Sequence, residues 1–372
     1  MGTMLIRYRD RDLVRRCGTG PVRISDVEGT LLVREGKAEA LIDPVSPPID
    51  KRVKSGSSSP SRGGTLTRNA GFYPKVAWIH DTTKLGGAEL SNQTVISAGR
   101  ELGFGIYECF PNTFDKKKLL ASDLFIINNF FFFEPNQMHF ILDLLFEYKK
   151  PFVKYEHDHR EIIGDQARPK FARHLFGRSI MNIFISPFQA DNHRKHLGDL
   201  IEPYYILPPA IDTSLFKLLP DIKRDENKVV NISGKLYHSK GFLHMLQFAA
   251  TKREYTFEIY TQNNQEIKGT FAQLPNVKVC SLLPNEVLPK VYNSAGFTIH
   301  LPQAYEACGR TIAEGLLCGC QPIINKNVGI RSFKDFHIGD VKRFNLDSFR
   351  KQIEQGVYSF WRGIDNKYLT EV

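Results

Sequence analysis

The stretch Glu306-Ala-Cys-Gly-Arg-Thr-Ile-Ala-Glu-Gly-Leu-Leu-Cys-Gly-Cys-Gln-Pro322 decides how the rest of the chain reads. Two carboxylates, Glu306 and Glu314, bracket seven residues, and Gly309 follows the first by three places. Gly309 permits a tight backbone turn, and the pattern beyond it predicts a helix starting near Thr311. The first amides of such a helix lack intrahelical partners and form a seat for a phosphate. Glu306 would then stand in the loop before the seat, with Glu314 one turn inside the helix. A phosphate-bearing ligand on that helix start meets a carboxylate on each side. The bare spacing does not choose this reading, because two glutamates eight apart arise by chance in a chain of this length. Thr311-Ile-Ala-Glu314 also has the form of a capping box, which offers Glu314 a purely structural role.

Working outward, the segments on either side alternate short apolar strands with helical stretches. Lys75-Val-Ala-Trp-Ile-His80 is a compact strand. It is followed by a loop ending in Gly86-Gly87 and a helical pattern from Ala88 to Leu102. Strand, glycine loop and helix form the unit of a doubly wound α/β sheet, whose ligands sit at the carboxyl ends of the strands. Gly86 and Gly87 permit close approach of the backbone to a ligand, or simply a tight turn. The loop has no G-x-G-x-x-G, so no dinucleotide fingerprint is present. Asp123–Asn128, Phe152–Glu156 and Ile180–Ser186 continue as strands, with helices expected over Gln137–Tyr148 and Pro187–His196.

The strand Phe152–Glu156 runs into His157-Asp158-His159. Alternate residues of a strand share a face, but no third ligand stands nearby in sequence, so a metal is not expected. A histidine and an aspartate at a strand's carboxyl end suit hydrogen bonding to hydroxyls or proton handling near neutral pH. Beyond Tyr205-Ile-Leu-Pro-Pro-Ala-Ile-Asp212 a second α/β set begins with Lys228–Ser233. Its loop carries Gly234-Lys235 and Lys240-Gly241, and its helix covers Phe242–Thr251. Lys235 and Lys240, five apart in a glycine-bounded loop, are placed to converge on one diphosphate. Strands at Thr256–Tyr260, Val277–Cys280, Thr298–Leu301 and Gln321–Ile324 follow, then a final helix over Ser348–Trp361.

The front of the chain is different. Residues 1–70 hold 13 Lys and Arg against 8 Asp and Glu, whereas the other 302 residues hold 37 against 32. That basic front favours an anionic partner, nucleic acid or a membrane surface. Its strand-like runs, Leu5–Arg9, Pro21–Ser25 and Gly29–Glu35, make at most a small β module. Ser55–Gly64 reads as a low-complexity linker. The resulting domain plan is a basic β module over 1–54 and a linker over 55–72. Two Rossmann-like domains follow over 73–207 and 208–345, and then a terminal helix over 346–372.

With 42% hydrophobic and 24% charged residues the composition is that of a globular chain. No run of about 18 apolar residues occurs, so no transmembrane segment is expected. The opening residues are too charged for a signal peptide. The six cysteines have neither C-x-x-C pairing nor framework spacing, which fits reduced thiols in a cytoplasmic protein, with the periphery of a membrane as an alternative location.

Taken together, residues 75–330 resemble the retaining glycosyltransferases of the GT-B fold, close to the large family four (the group 1 glycosyltransferases). Gly86-Gly87-Ala-Glu looks like the family's glycine loop. His157-Asp158 stands where members carry a histidine beside the transferred sugar. Pro209–Phe216 resembles the linker before the donor domain, and Gly234-Lys235 to Lys240-Gly241 the phosphate loop, with Lys235 in place of an arginine. Glu306 to Glu314, with Gly309, Gly319 and Pro322, resembles the paired-glutamate motif. Asn327-Val-Gly329 departs from a more usual double glycine.

The resemblance implies two Rossmann-like domains facing a cleft: an N-terminal acceptor domain and a C-terminal nucleotide-sugar domain. It implies a nucleoside diphosphate sugar as donor and no metal or other cofactor. Glu314 would bind ribose and Glu306 a sugar hydroxyl. Lys235, Lys240 and the amides around Gly309-Arg310 would hold the diphosphate. His157 and Asp158 join Glu306 as the catalytic candidates. The acceptor implied is a saccharide or glycoconjugate. The alternatives are a nucleic-acid base or a non-catalytic nucleotide-sugar-binding protein on the same scaffold.

Overall fold

A computed structural model describes residues 3–8, 22–25, 38–41, 73–81, 86–129, 132–163, 168–334 and 345–369. The chain divides into two compact units, one of residues 1–62 with 130–149, the other of residues 63–129 with 150–372.

In the first unit, β1 (Thr3–Tyr8), β2 (Val22–Ser25) and β3 (Ala38–Leu41) form an antiparallel sheet in the order β2-β1-β3. The strand expected at 29–35 and the linker expected at 55–72 lie outside the described residues. The helix Pro135–Phe146 belongs to this unit and buries the face of Met138, Ile141, Leu142 and Leu145, with proline opening its first turn.

The second unit holds two parallel sheets. The first has six strands: β4 (Lys75–Ile79), β5 (Gly105–Cys109), β6 (Leu124–Ile127), β7 (Phe152–Glu156), β8 (Met181–Phe184) and β9 (Tyr204–Ile206), in the order β5-β4-β6-β7-β8-β9. Every residue of β6 and β7 is buried, as expected of central strands covered on both faces. The second has five: β10 (Asp225–Ser233), β11 (Thr256–Thr261), β12 (Val277–Ser281), β13 (Ala295–His300) and β14 (Gln321–Ile324), in the order β12-β11-β10-β13-β14. The strand order reverses between β4 and β6 in one sheet and between β10 and β13 in the other. In open α/β sheets ligands settle in the crevice at the carboxyl ends of such a pair.

Two helices tie this unit together. We call α1 Gly87–Glu101, which follows β4, and α2 Leu346–Leu369, the last helix of the chain. Trp361 on α2 is fully buried. Its ring lies 4.6 Å from that of Phe104 and 6.1 Å from that of Trp78, and its Nε1 donates to the Val95 carbonyl at 2.8 Å. Gly99 on α1 makes this possible, since a Cβ there would stand 2.5 Å from the Trp361 ring. A mid-helix glycine costs about 0.5–1 kcal/mol relative to alanine; the seated indole offsets it. One apolar core runs from Val76 and Trp78 through Ile232 and Ile312 to Trp361. Among the described residues no helix is long and apolar enough to cross a membrane, and the five described cysteines are free thiols.

Candidate active site

The helix after Gly309, α3, covers Arg310–Leu317. Gly309 is its N-cap at φ +90°, the left-handed region that favours glycine, and a Cβ there would meet Val328 at 2.8 Å. The capping-box alternative is thereby corrected. Thr311 already lies inside the helix, and the Glu314 carboxylate takes up side chains instead. Arg310 Nε donates to Glu314 Oε1 at 2.7 Å, and the Tyr292 hydroxyl to Oε2 at 3.4 Å. Glu314 is 3% exposed, and burial pushes its carboxyl up, partly countered by Arg310. A carboxylate can accept about four hydrogen bonds, so both oxygens keep room for a hydroxyl.

Glu306 lies in the loop between β13 and α3. Its amide donates to the Asn327 carbonyl at 2.8 Å, and its own carbonyl accepts from Gly329 at 2.9 Å. In Asn327-Val-Gly329 the glycine is packed against the Ala307 carbonyl, where a Cβ has no room. The Glu306 carboxylate receives Lys240 Nζ at 2.5 Å and His300 Nε2 at 3.3 Å on the same oxygen. Burial alone would raise the Glu306 carboxyl, but Lys240 and His300 outweigh it and hold it well below the usual carboxylate range. Lys240 comes from the loop after β10 and His300 ends β13, so the cluster sits at the switch point of the second sheet. Lys235 does not join it. Its side chain is solvent-exposed over the Tyr237 ring, 5.7 Å from the centroid, and the two lysines share no partner.

Across from this cluster stand the strand ends of the first sheet. His157 Nε2 lies 2.9 Å from Asn92 Oδ1 on α1, and its ring packs 4.2 Å from that of Tyr155. Burial lowers the His157 pKa to about 3, so the ring is neutral at physiological pH. With an oxygen facing Nε2, the proton resides there and Nδ1 is left as an acceptor. The Asp158 carboxylate accepts from the Arg160 amide at 2.8 Å, Arg160 Nε at 2.6 Å and Asn129 Nδ2 at 3.3 Å. Burial would raise its carboxyl, and Arg160 more than reverses this.

The fields of the two sets overlap. Asp158 stabilises the charge on Lys240, and the Arg310 charge disfavours protonation of His157. Arg310 also binds the halves directly, through Nη1 to Ser91 Oγ on α1 at 2.8 Å and to the Ala210 carbonyl at 2.7 Å. Gly87 borders the aliphatic stem of the same side chain, 3.5 Å from Arg310 Cδ to a Cβ built on the glycine, and Gly86 is the N-cap of α1. With its side chain so engaged, Arg310 offers a ligand its backbone amide. Below the site, Lys154 Nζ pairs with Glu156 at 2.9 Å and Glu161 at 3.3 Å, all three side chains being 0% exposed. Burial pushes both carboxyls up, Glu156 to about 8, and two carboxylates beside one lysine share a proton near neutrality. Glu156 Oε1 also accepts from the amides of His157 and Asp158, while the Arg168 charge joins Lys154 in favouring the charged form of Glu161.

Thus the structure brings together His157, Asp158, Glu306, Lys240, Gly87, Gly309, Arg310 and Glu314, and leaves Lys235 apart. Sequence reasoning missed Asn92, His300 and Glu156. A polar residue closing an apolar strand was the available signal for His300 and Glu156; Asn92 sits one turn into a helix and carried none.

No family model matches the chain, and no curated protein does. Solved structures do. HepE of Anabaena, in complex with UDP and glucose, is similar over 79% of this chain and 100% of its own, at 16% identity and a TM-score of 0.58. Sucrose-phosphate synthase of Thermosynechococcus elongatus is similar over 79% and 97%, at 12% identity and a TM-score of 0.58. An alpha-glucosyltransferase in complex with UDP and a 13-mer DNA containing an HMU base is similar over 80% and 100%, at 14% identity and a TM-score of 0.52. The fold of this chain is therefore that of the GT-B glycosyltransferases.

Proposed function

We propose that this chain is a retaining glycosyltransferase that moves a sugar from a nucleoside diphosphate sugar to a saccharide or glycoconjugate acceptor. The observation that carries the proposal is the Lys240–Glu306–His300 cluster beside the start of α3, at the switch point of the second sheet. A diphosphate on the α3 amides and Lys240 meets the positive end of a helix and a lysine, which stabilise the charge that develops as it leaves. Lys235, exposed over the Tyr237 ring with the Glu266 charge acting on it, can swing onto the same group. Lys240 released from Glu306 frees that carboxylate for a donor-sugar hydroxyl. Glu314 accepts a ribose hydroxyl, and neutral His157 accepts one from the sugar through Nδ1. Asp158 serves by holding Arg160 at the rim. Fixed cations take the role a metal would otherwise play, so turnover is expected to survive chelation. HepE and the DNA-bound glucosyltransferase, both solved with UDP, make uridine the first nucleotide to test.

A second reading has its own observation. The basic front of the chain, together with a fold neighbour solved on DNA, favours a nucleic-acid base as acceptor. The test is a panel of nucleoside diphosphate sugars read by melting temperature, then by transfer. A true donor at a hundred times its Kd adds about 2.7 kcal/mol of stability. No stabilisation by any donor or by free UDP overturns both readings. Transfer to modified DNA, lost with residues 1–70 removed, selects the second. The anomeric configuration of the product, read by NMR, tests retention.

A further inference from the structure

We propose, resting on the glycosyl-transfer reading above, that Glu156 is a positioning residue for the reaction: a carboxylate sealed beneath the site that clamps the consecutive amides of His157 and Asp158. The sheet ladder of β7 ends at Glu156, opposite Phe184 of β8, so the next two amides have no strand to bond to. Buried amides need acceptors. Glu156 Oε1 supplies one to both, at 3.1 Å from His157 N and 3.1 Å from Asp158 N. Its other oxygen is held by Lys154 at 2.9 Å. Lys154 and Glu156 are two apart on one strand and therefore share a face. Glu161 returns from the following turn to complete the lysine's shell at 3.3 Å.

Replacing an ion pair wholly removed from water by apolar residues of the same volume is often neutral or stabilising, so stability alone is a weak reason for its presence here. The geometry offers another reason. With the two amides pinned, Asn92 and the Tyr155 ring fix the His157 imidazole, and Gln189 Nε2 holds the Asp158 carbonyl at 2.9 Å. The His157 ring and the Asp158 carboxylate then face the Glu306 cluster with no freedom in the backbone that carries them. Near-attack geometry is sensitive to displacements of this kind, since about 1 Å of misplacement costs on the order of a hundredfold in rate.

The experiment uses the full chain with Glu156→Gln and Glu156→Asp. Gln can give its oxygen to the amides or to Lys154 but not to both. Asp keeps the ion pair and draws the oxygen back by one methylene. For both we expect kcat to fall by about 10- to 100-fold with donor KM within about twofold, because the groups proposed for the nucleotide and diphosphate belong to the second sheet. Hydrogen exchange at the His157 and Asp158 amides should accelerate at least about tenfold while the rest of β7 stays protected. Parental kcat in folded variants, or unchanged exchange at those two amides, overturns the proposal. So does failure of both variants to fold, which makes the triad structural only. If the parent itself transfers no sugar, the functional reading fails, and amide exchange still decides whether Glu156 pins the turn.

Discussion

The two sheets of the second unit are both parallel, each with one reversal of strand order, yet treat charge at their strand ends in opposite ways. At the end of β7, Lys154, Glu156 and Glu161 are sealed from water, and His157 above them is kept neutral. At the ends of β10 and β13, the Lys240 side chain is 47% exposed although it pairs with Glu306, and Lys235 is open to solvent. A sealed pair cannot exchange partners without exposing a charge to a low dielectric; a half-exposed one exchanges at little cost. On the function proposed above, the first sheet holds geometry and the second trades a carboxylate for a ligand.

The largest effect expected is the one that breaks this contrast outright. Lys154→Met leaves two buried carboxylates without a cation and should cost about 3–5 kcal/mol of stability by denaturant titration. The same change at Lys240 should cost no more than about 1 kcal/mol of stability. It should weaken donor binding by about 1.5–3 kcal/mol in calorimetry, the range of a charged hydrogen bond. Equal destabilisation by the two variants would erase the distinction.

Next, Glu306→Gln should lower kcat by about a hundred- to a thousandfold, as removal of a transition-state contact does, while calorimetry finds nucleotide binding close to that of the parent. A kcat near the parental value removes Glu306 from the chemistry. Glu314→Gln should act on the other term and weaken nucleotide binding by about 1.5–3 kcal/mol, roughly ten- to a hundredfold. Since Gly309, not Thr311, caps α3, no capping loss contributes. Unaltered nucleotide affinity would confine Glu314 to its partnership with Arg310.

The smallest effect sharpens the contrast through pH. Glu306 is depressed in the folded state, so its contribution to stability is present above the unfolded carboxyl value of about 4.3 and is lost as pH falls toward the folded value. The Glu156–Glu161 pair is raised, so the folded state holds an extra proton. Its contribution is greatest below about 4.3 and declines as pH rises toward about 8. Melting curves between pH 4 and 8 should therefore fall on the alkaline side, and Glu161→Gln, which cannot ionise, should flatten that fall. A slope identical to the parent's would place the shared proton elsewhere.

Much of this was legible in the sequence because central strands write their burial as uninterrupted apolar runs. Leu124-Phe-Ile-Ile127 is such a run, and Phe152–Glu156 and the edge strand Gln321–Ile324 were read at their observed limits. Of the missed strands, β3, β5 and β9, the last two are the edges of the six-stranded sheet. Gly105-Ile-Tyr-Glu-Cys109 is only half buried, and Tyr204–Ile206 runs into a proline pair, so neither has the pattern of a covered strand. The paired glutamates and Lys240 were legible through their glycines, which mark where backbone must approach a ligand or another strand. Partner choice was not: that Glu314 turns to Arg310 and Lys235 to Tyr237 depends on side-chain directions set by packing.

Trp361 has a consequence for how the chain is made. The slot it fills, between Trp78, Phe104 and Gly99, is lined by residues synthesised early. At ribosomal rates of about 5–20 residues per second, the roughly 250 residues between Phe104 and Trp361 delay its arrival by on the order of 10–50 s. Throughout that interval the nascent first sheet has an open aromatic groove, a surface for chaperones and for misassembly alike. Vectorial synthesis thus completes the core of the six-stranded sheet last.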